Sequence, residues 1–290
     1  MGRPKRLLTS PASRVTVDAG LILAVERAID RGAALLWQGR AHFGSLIPKG
    51  DRDYATQVDV AIEETIRDAL AEAAPEIPFL GEEEGGAPIA ETEALWILDP
   101  IDGTVNFANG SPLCAISLAL VERGVPTLGI IDLPLIGERY VARRGRGAFL
   151  NGRRTAVLEK PGLEEAIVGF ADFAVGGAAG RENRIHRELM DRLVARCLRV
   201  RVHGSECLDL AWLAAGRLEV TVMLSNLPWD VTAGVLIAQE AGAMAFDHDG
   251  SAWTHRSSFT ICSIPGLVDE LLPVLEEAVE AADRPPTPAS

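Results

Sequence analysis

The 290-residue chain is short of the residues that build soft metal clusters. Its four cysteines, Cys114, Cys197, Cys207 and Cys262, never fall in a Cys-x-x-Cys spacing. That argues against a zinc knuckle or a disulfide framework and makes a reducing cytoplasm the expected compartment. The five histidines, His42, His186, His203, His248 and His255, are scattered, with no His-Glu-x-x-His pair. Positive charge is also scarce: 28 Lys and Arg stand against 41 Asp and Glu, a net charge of -13. A nucleic-acid partner is therefore not expected, since phosphate backbones demand a basic face. Arg143-Arg144-Gly145-Arg146 and the basic stretch 192–201 are both interrupted by apolar residues. Long apolar runs are missing too. Leu21 to Val25 is broken by Glu26 and Arg27, and the basic start Met1 to Arg6 leads into no apolar segment. Neither a membrane span nor a signal peptide is expected.

What the chain has is apolar mass, 48% hydrophobic, enough for a large core. One stretch stands out: Trp96-Ile97-Leu98-Asp99-Pro100-Ile101-Asp102-Gly103-Thr104. Ala94 to Leu98 reads as a buried strand, and Pro100, lacking an N–H, is expected to end it. Asp99 and Asp102 then sit at the strand end, beside the helical start at Gly103-Thr104. Buried carboxylates need a cation, and a hard oxygen-liganded ion such as Mg²⁺ fits paired Asp and brings phosphate with it. The N–H groups of Gly103 and Thr104 suit an anion. An Asp-Pro-x-Asp-Gly turn without metal is the alternative reading.

The rest of the chain adds further acids. Asp18 is placed to cap a helix to about Trp37, and Asp59 to cap one from Val60 to Ala74. Between them Lys49 and Asp53 lie in a polar loop, either a simple connector or a cover with Lys49 meeting phosphate and Asp53 binding through water. Ile77-Pro78-Phe79-Leu80 is a second apolar run ending in acid, at Gly81-Glu82-Glu83-Glu84, so neighbouring strands would unite Glu82 with Asp99. Strands over 115–121, 127–133 and 139–142 suggest an antiparallel meander, and Asn151-Gly152 a hairpin. After residue 160, helices and strands alternate. Ser205 can cap one helix, and Asp230 can either cap another or join the acids.

Together these segments resemble the inositol monophosphatase family of Mg²⁺-dependent, lithium-sensitive phosphatases. The matching pieces are Asp53-x-x-Thr56-x-x-Asp59, Gly81-Glu82-Glu83, Trp96-x-x-Asp99-Pro-Ile-Asp102-Gly-Thr104-x-Asn106-Phe107, Gly204-Ser205, and Trp229-Asp230 with Ala233-Gly234. They lie in family order over roughly residues 18 to 265. The resemblance implies an α+β and α/β chain folded as a layered α-β-α-β-α sandwich, usually dimeric. Residues 1–160 would form an N-terminal half with most ligands, and 161–290 a C-terminal half supplying Asp230. It makes Glu82, Asp99 and the Ile101 carbonyl ligands of a first metal ion. Asp99, Asp102 and Asp230 would hold a second, and Glu82 with waters a third. Thr56, Asp53 and Thr104 would order and help activate water, with Glu82 also catalytic. Lys49, Asp102, Gly103, Thr104, Ser205 and Glu206 would face the substrate.

The chain departs from the family at two points. The inositol enzymes carry a Glu seven residues before the Asp of Trp-Asp, and here that position is Met223. Glu206 replaces a small residue and either supplies another carboxylate or merely opens a helix. The expectation is a cytoplasmic, homodimeric phosphomonoesterase acting on a small phosphorylated metabolite, inositol monophosphate first. Histidinol phosphate, fructose 1,6-bisphosphate and 3′-phosphoadenosine 5′-phosphate are rival substrates. A catalytically silent interaction protein of the same fold is the non-enzyme alternative. A two-metal nuclease is disfavoured by the acidic charge.

Overall fold

The computed structural model of the chain describes residues 18–40, 46–50, 53–175, 179–224 and 226–284. Asp18 caps α1 (Ala19–Gly39), accepting from the Leu21 N–H at 2.8 Å. A short hairpin of β1 (Ile47–Gly50) and β2 (Asp53–Ala55) leads to α2 (Gln57–Ala73). This helix starts earlier than the expectation at Asp59. Thr56 is the N-cap, and Asp59, at the third helical position, bonds back to the Thr56 N–H at 2.9 Å. The reciprocal pair satisfies two orphan donors where a lone Asp cap satisfies one.

Next come β3 (Phe79–Gly81), β4 (Gly85–Gly86), β5 (Ala94–Asp102) and the single-turn α3 (Thr104–Ala108). The meander follows as β6 (Ala115–Glu122), β7 (Val125–Leu133) and β8 (Glu138–Arg143). β9 (Gly147–Leu150) and β10 (Arg153–Thr155) pair across Asn151 and Gly152, whose φ angles of 48° and 75° suit a tight hairpin. Among the described residues these strands form one eight-stranded sheet, in the order β10-β9-β8-β7-β6-β5-β3-β4.

Pro100 does not end β5. The strand continues to Asp102, and its register against β6 slips between Asp99 and Asp102. A bulge lets the sheet accommodate a residue with no N–H, and it re-aims the side chains around it.

The remaining elements are β11 (Ile167–Phe170), α4 (Gly180–Val194), β12 (Arg199–Arg201), α5 (Glu206–Ala214) and β13 (Val220–Met223). They are followed by α6 (Pro228–Glu240), β14 (Met244–Phe246), β15 (Thr260–Ser263) and α7 (Val268–Asp283). The strands make a second sheet, ordered β12-β11-β13-β15-β14. Asp230 lies within the first turn of α6 rather than at its cap, because Pro228 already opens the helix.

Apolar clusters lie between the layers and glue them into an α-β-α-β-α sandwich. Trp96 and Leu98 of β5 pack with Ile29 and Leu36 of α1 and Ile62 and Ile66 of α2. Their neighbours Leu95 and Ile97 point the other way, toward Leu208 of α5 and Leu236 of α6. A strand covered on both faces has no wet side, which explains the unbroken apolar run of β5. The far faces of α5 and α6 pack Leu210 and Val235 against Cys262 of the second sheet. Leu189 of α4 and Leu275 of α7 close the outer layer over Val168 and Val222. Each fully buried side chain of this size contributes about 1.5–3 kcal/mol. Among the described residues no helix is long and apolar enough to cross a membrane.

Candidate active site

The acids gather because β3 and β5 are parallel neighbours. Gly81 sits opposite Leu98, and the Glu82 N–H donates to the Leu98 carbonyl at 3.2 Å. Glu82 therefore begins where Asp99 stands. Asp99 is 2% exposed, and its Oδ1 is buried with no hydrogen-bond partner. Burial raises its pKa well above the carboxylate range, and the charges of Glu82, Asp102 and Asp230 raise it further. Four acids from β5, the β3–β4 turn and α6 thus act on one another through a poorly solvated space.

Asp102 is tied to the second half of the chain. Its Oδ2 accepts from the Ser205 hydroxyl at 2.5 Å and from the Cys207 N–H at 2.7 Å. Its Oδ1 faces the Glu206 N–H at 3.3 Å. Burial pushes Asp102 up to about 6, while these donors pull it down. Ser205 also caps α5, as expected. The Cys207 thiol donates to the Asp230 carbonyl at 3.0 Å, anchoring the start of α6. Glu206 shares a hydrogen bond with the Asp230 carboxyl, and burial pushes Glu206 up to about 7.

Gly103 adopts φ 90°, a conformation costly for other residues, and a Cβ there would meet the Leu113 and Gly204 carbonyls at 2.9 and 3.0 Å. Thr104 follows, its hydroxyl 3.0 Å from both the Asp59 Oδ1 and the Ile101 carbonyl. Thr56 reaches the same carboxylate: its hydroxyl bonds Asp59, not the Asp99 cluster. Lys49 does not stand free over the site. Its Nζ lies 2.6 Å from Glu82 and 3.0 Å from Glu83. Burial alone would lower the lysine pKa, but both acids carry it above its ordinary value. The side chain of Asp53 lies outside the described residues.

Three residues matter here that the spacing of motifs did not single out as site residues. Asp59 is fully buried and receives the Thr104 hydroxyl. Glu63 is also fully buried, and its two oxygens accept the Glu83 and Glu84 N–H groups at 3.0 and 2.8 Å, so it shapes the turn bearing Glu82. The Asn106 amide lies 2.7–3.1 Å from the carbonyls of Leu113, His203 and Gly204, bolting the loop before Ser205 to α3. Asp59 and Glu63 follow the Ile62–Ile66 apolar stripe at helical spacing, and acids beside such a stripe were the available signal.

Among the described residues, no three acids, histidines or cysteines already stand as a closed ion cage. Glu82 leans on Lys49, and Asp230 leans on Glu206. The donor set nonetheless suits a hard divalent cation. It is all oxygen, it is several-fold negative, and Asp99 keeps a buried oxygen with nothing to bind.

A cavity of about 410 Å³ opens beside Asp230 and Glu206 and is walled by the loop from Ala171 to Val175 and by α4. Met223 is not part of it. That side chain is fully buried between α5, α6 and the second sheet, whereas its neighbour Leu224 lines the cavity.

Comparison with known proteins extends over nearly the whole chain. The model of the inositol monophosphatase family matches residues 15–280. The inositol-1-monophosphatase ImpA of Mycolicibacterium smegmatis is 37% identical over 239 residues, 82% of this chain and 86% of that protein. A fructose-1,6-bisphosphatase/inositol-1-monophosphatase of Thermotoga maritima is 35% identical over 231 residues, 80% of this chain and 86% of that protein. The solved structure of a Thermotoga maritima IMPase superposes with a TM-score of 0.80 at 32% identity, covering 90% of this chain and 98% of that one.

Proposed function

The chain belongs to the inositol monophosphatase family and is a phosphoric monoester hydrolase, and on that premise we propose that it is a Mg²⁺-dependent enzyme for phosphate esters of small alcohols. Inositol monophosphate is the first substrate, supported by the names of the relatives. The observation that carries the metal reading is Asp99, whose unpartnered buried oxygen lies within the field of Glu82, Asp102 and Asp230. Glu82, Asp99 and the Ile101 carbonyl would hold one ion; Asp99, Asp102 and Asp230 a second; Glu82 a weaker third. When bound, such ions supply charge neutralisation and a more acidic water.

The chain's own groups do the positioning. The Gly103 and Thr104 amides present N–H groups to a phosphate oxygen. The Thr104 hydroxyl, 3.0 Å from Asp59, takes the proton of the attacking water as it passes its own to the Asp59 Oδ1. Thr56 holds the other Asp59 oxygen and so fixes the direction of that transfer. Asp53 assists in ordering water. Ser205 and the α5 amides hold Asp102 in place against the repulsion of its neighbours. Family membership also supports lithium sensitivity and a homodimer, and four free cysteines fit a reducing cytoplasm.

The test is phosphate release from myo-inositol 1-phosphate with Mg²⁺, with chelator, and with the Asp102→Asn variant. Release should require Mg²⁺ and fall by orders of magnitude in the variant. Equal release in all three would overturn the proposal.

A further inference from the structure

Asp209, a buried acid outside the Asp99 cluster, is claimed by one histidine. It closes the first turn of α5 and is 1% exposed. The His203 Nδ1 stands 2.5 Å from its Oδ1, the only side-chain hydrogen bond of that carboxylate among the described residues. A carboxylate accepts and does not donate, so the imidazole supplies the Nδ1–H. Burial pushes Asp209 up to about 6, and the hydrogen bond from His203 pulls it back. The indole of Trp212, further along α5, meets the imidazole edge-on with ring centroids 5.1 Å apart. A hydrogen bond and a ring contact thus hold His203 against the helix.

The pair straddles the cap of α5, since His203 lies ahead of the Ser205 cap and Asp209 behind it. Apolar side chains that meet across a helix start fix the angle at which the chain enters. Here a charge-assisted hydrogen bond takes that part, and such bonds are stronger than neutral ones. The main chain is pinned from the other side, where the Asn106 amide holds the His203 and Gly204 carbonyls. These ties place two donors, the Ser205 hydroxyl and the Cys207 N–H, which reach the Asp102 Oδ2 at 2.5 and 2.7 Å. His203 does not line the cavity beside Asp230, so it acts through what it holds.

We propose that His203 is a positioning residue for the ion-binding end of the site: with Asp209 it staples the entry to α5 and so aims the two donors that orient the Asp102 carboxylate. The proposal rests on the reading of Asp102 as an ion ligand and adds to it the device that sets the direction of that ligand.

The test is thermal unfolding at rising Mg²⁺ for the wild type, His203→Ala, Ser205→Ala and the double variant, beside rates on myo-inositol 1-phosphate. The Mg²⁺ concentration that gives a fixed rise in melting temperature should be about tenfold higher for His203→Ala, as for other groups that orient metal ligands. Raising Mg²⁺ should restore most of the rate, because no group that touches the substrate has been removed. The shifts of the two single variants should not multiply in the double variant, since one acts through the other. Asp209→Leu should reproduce His203→Ala, whereas Asp209→Asn, which keeps an acceptor for the imidazole N–H, should stay close to the wild type. An unchanged Mg²⁺ requirement in His203→Ala, with only a lower melting temperature in chelator, overturns the proposal, as do shifts that multiply. If the wild type itself gains nothing from Mg²⁺, the ion reading of Asp102 has failed and the proposal falls with it.

Discussion

The Glu63 carboxylate occupies the space that any side chain at Gly81 would need. A Cβ on Gly81 would overlap the carboxyl group, which is already committed to the Glu83 and Glu84 N–H groups. The turn that delivers Glu82 to Asp99 is thus held from α2, a different element from either strand. Gly81→Ala should displace Glu63 and loosen Glu82. Glu63→Gln should do so more mildly, since an amide offers one acceptor where two are needed. Unsatisfied buried donors cost about 1–3 kcal/mol. The expected outcome is a lowered melting temperature in both variants and a weaker Mg²⁺ dependence of rate, measured by thermal unfolding and by activity titrated with Mg²⁺. Unchanged Mg²⁺ titrations would show that the turn does not position Glu82.

The crowding at Asp99 makes an opposite prediction about stability. Asp99 lies with one oxygen unpartnered, facing the charges of Glu82, Asp102 and Asp230. Without a cation this arrangement costs folding energy, because buried like charges repel and are poorly solvated. Asp99→Asn should therefore melt at a higher temperature than the wild type in chelator, while losing activity. Added Mg²⁺ should raise the wild-type melting temperature by mass action and leave the variant unmoved. A variant that melts lower than the wild type in chelator would mean that Asp99 is already neutralised by its surroundings.

The acid motif was legible because Asp-Pro-Ile-Asp-Gly-Thr couples a strand end, a residue without an N–H and a helix start in six positions. Neighbouring strands β3 and β5 were legible as a possibility, since both apolar runs end in acid. The passage of β5 through Pro100 was not, because a bulge depends on the partner strand β6 rather than on local propensity. Asp59 was read as a cap by its residue type. Its actual place, one turn inside α2 with Thr56 ahead of it, follows from a competition between two good capping residues. The same limit applies to Asn106: which carbonyls an amide will reach depends on a loop almost 100 residues away.

Met223 stands where the inositol enzymes carry a Glu, yet its place in the fold speaks against Met223→Glu as the route to inositol recognition. Met223 is fully buried and pairs across to Thr260 within the second sheet. A carboxylate there would be buried without a cation, at a cost of several kcal/mol, beyond the roughly 1 kcal/mol typical of point mutations. The side chain on the cavity wall is Leu224. Met223→Glu should fail to accumulate as folded protein. Leu224→Glu should fold and should lower KM for myo-inositol 1-phosphate by offering an acceptor to the ring. Folded, active Met223→Glu would show that this strand end turns its residues the other way.

His186 sets a limit on acid stability. Burial between Phe170 and Phe173 holds its pKa down to about 4, with Arg187 adding to the shift. In the unfolded chain the same imidazole takes a proton near pH 6.5, roughly its unperturbed value. Between those two values the unfolded state binds more protons than the folded one, so the neutral ring favours folding fully above about pH 6.5. That contribution declines as the pH falls toward 4. The melting temperature should therefore drop across this window, and His186→Phe, which keeps an aromatic ring between its neighbours but cannot titrate, should flatten the drop. Because His186 supplies none of the proposed ion ligands, the variant should leave the Mg²⁺-induced rise in melting temperature intact. An identical acid limb in variant and wild type would place the titrating group elsewhere, with the buried carboxylates as the next to test.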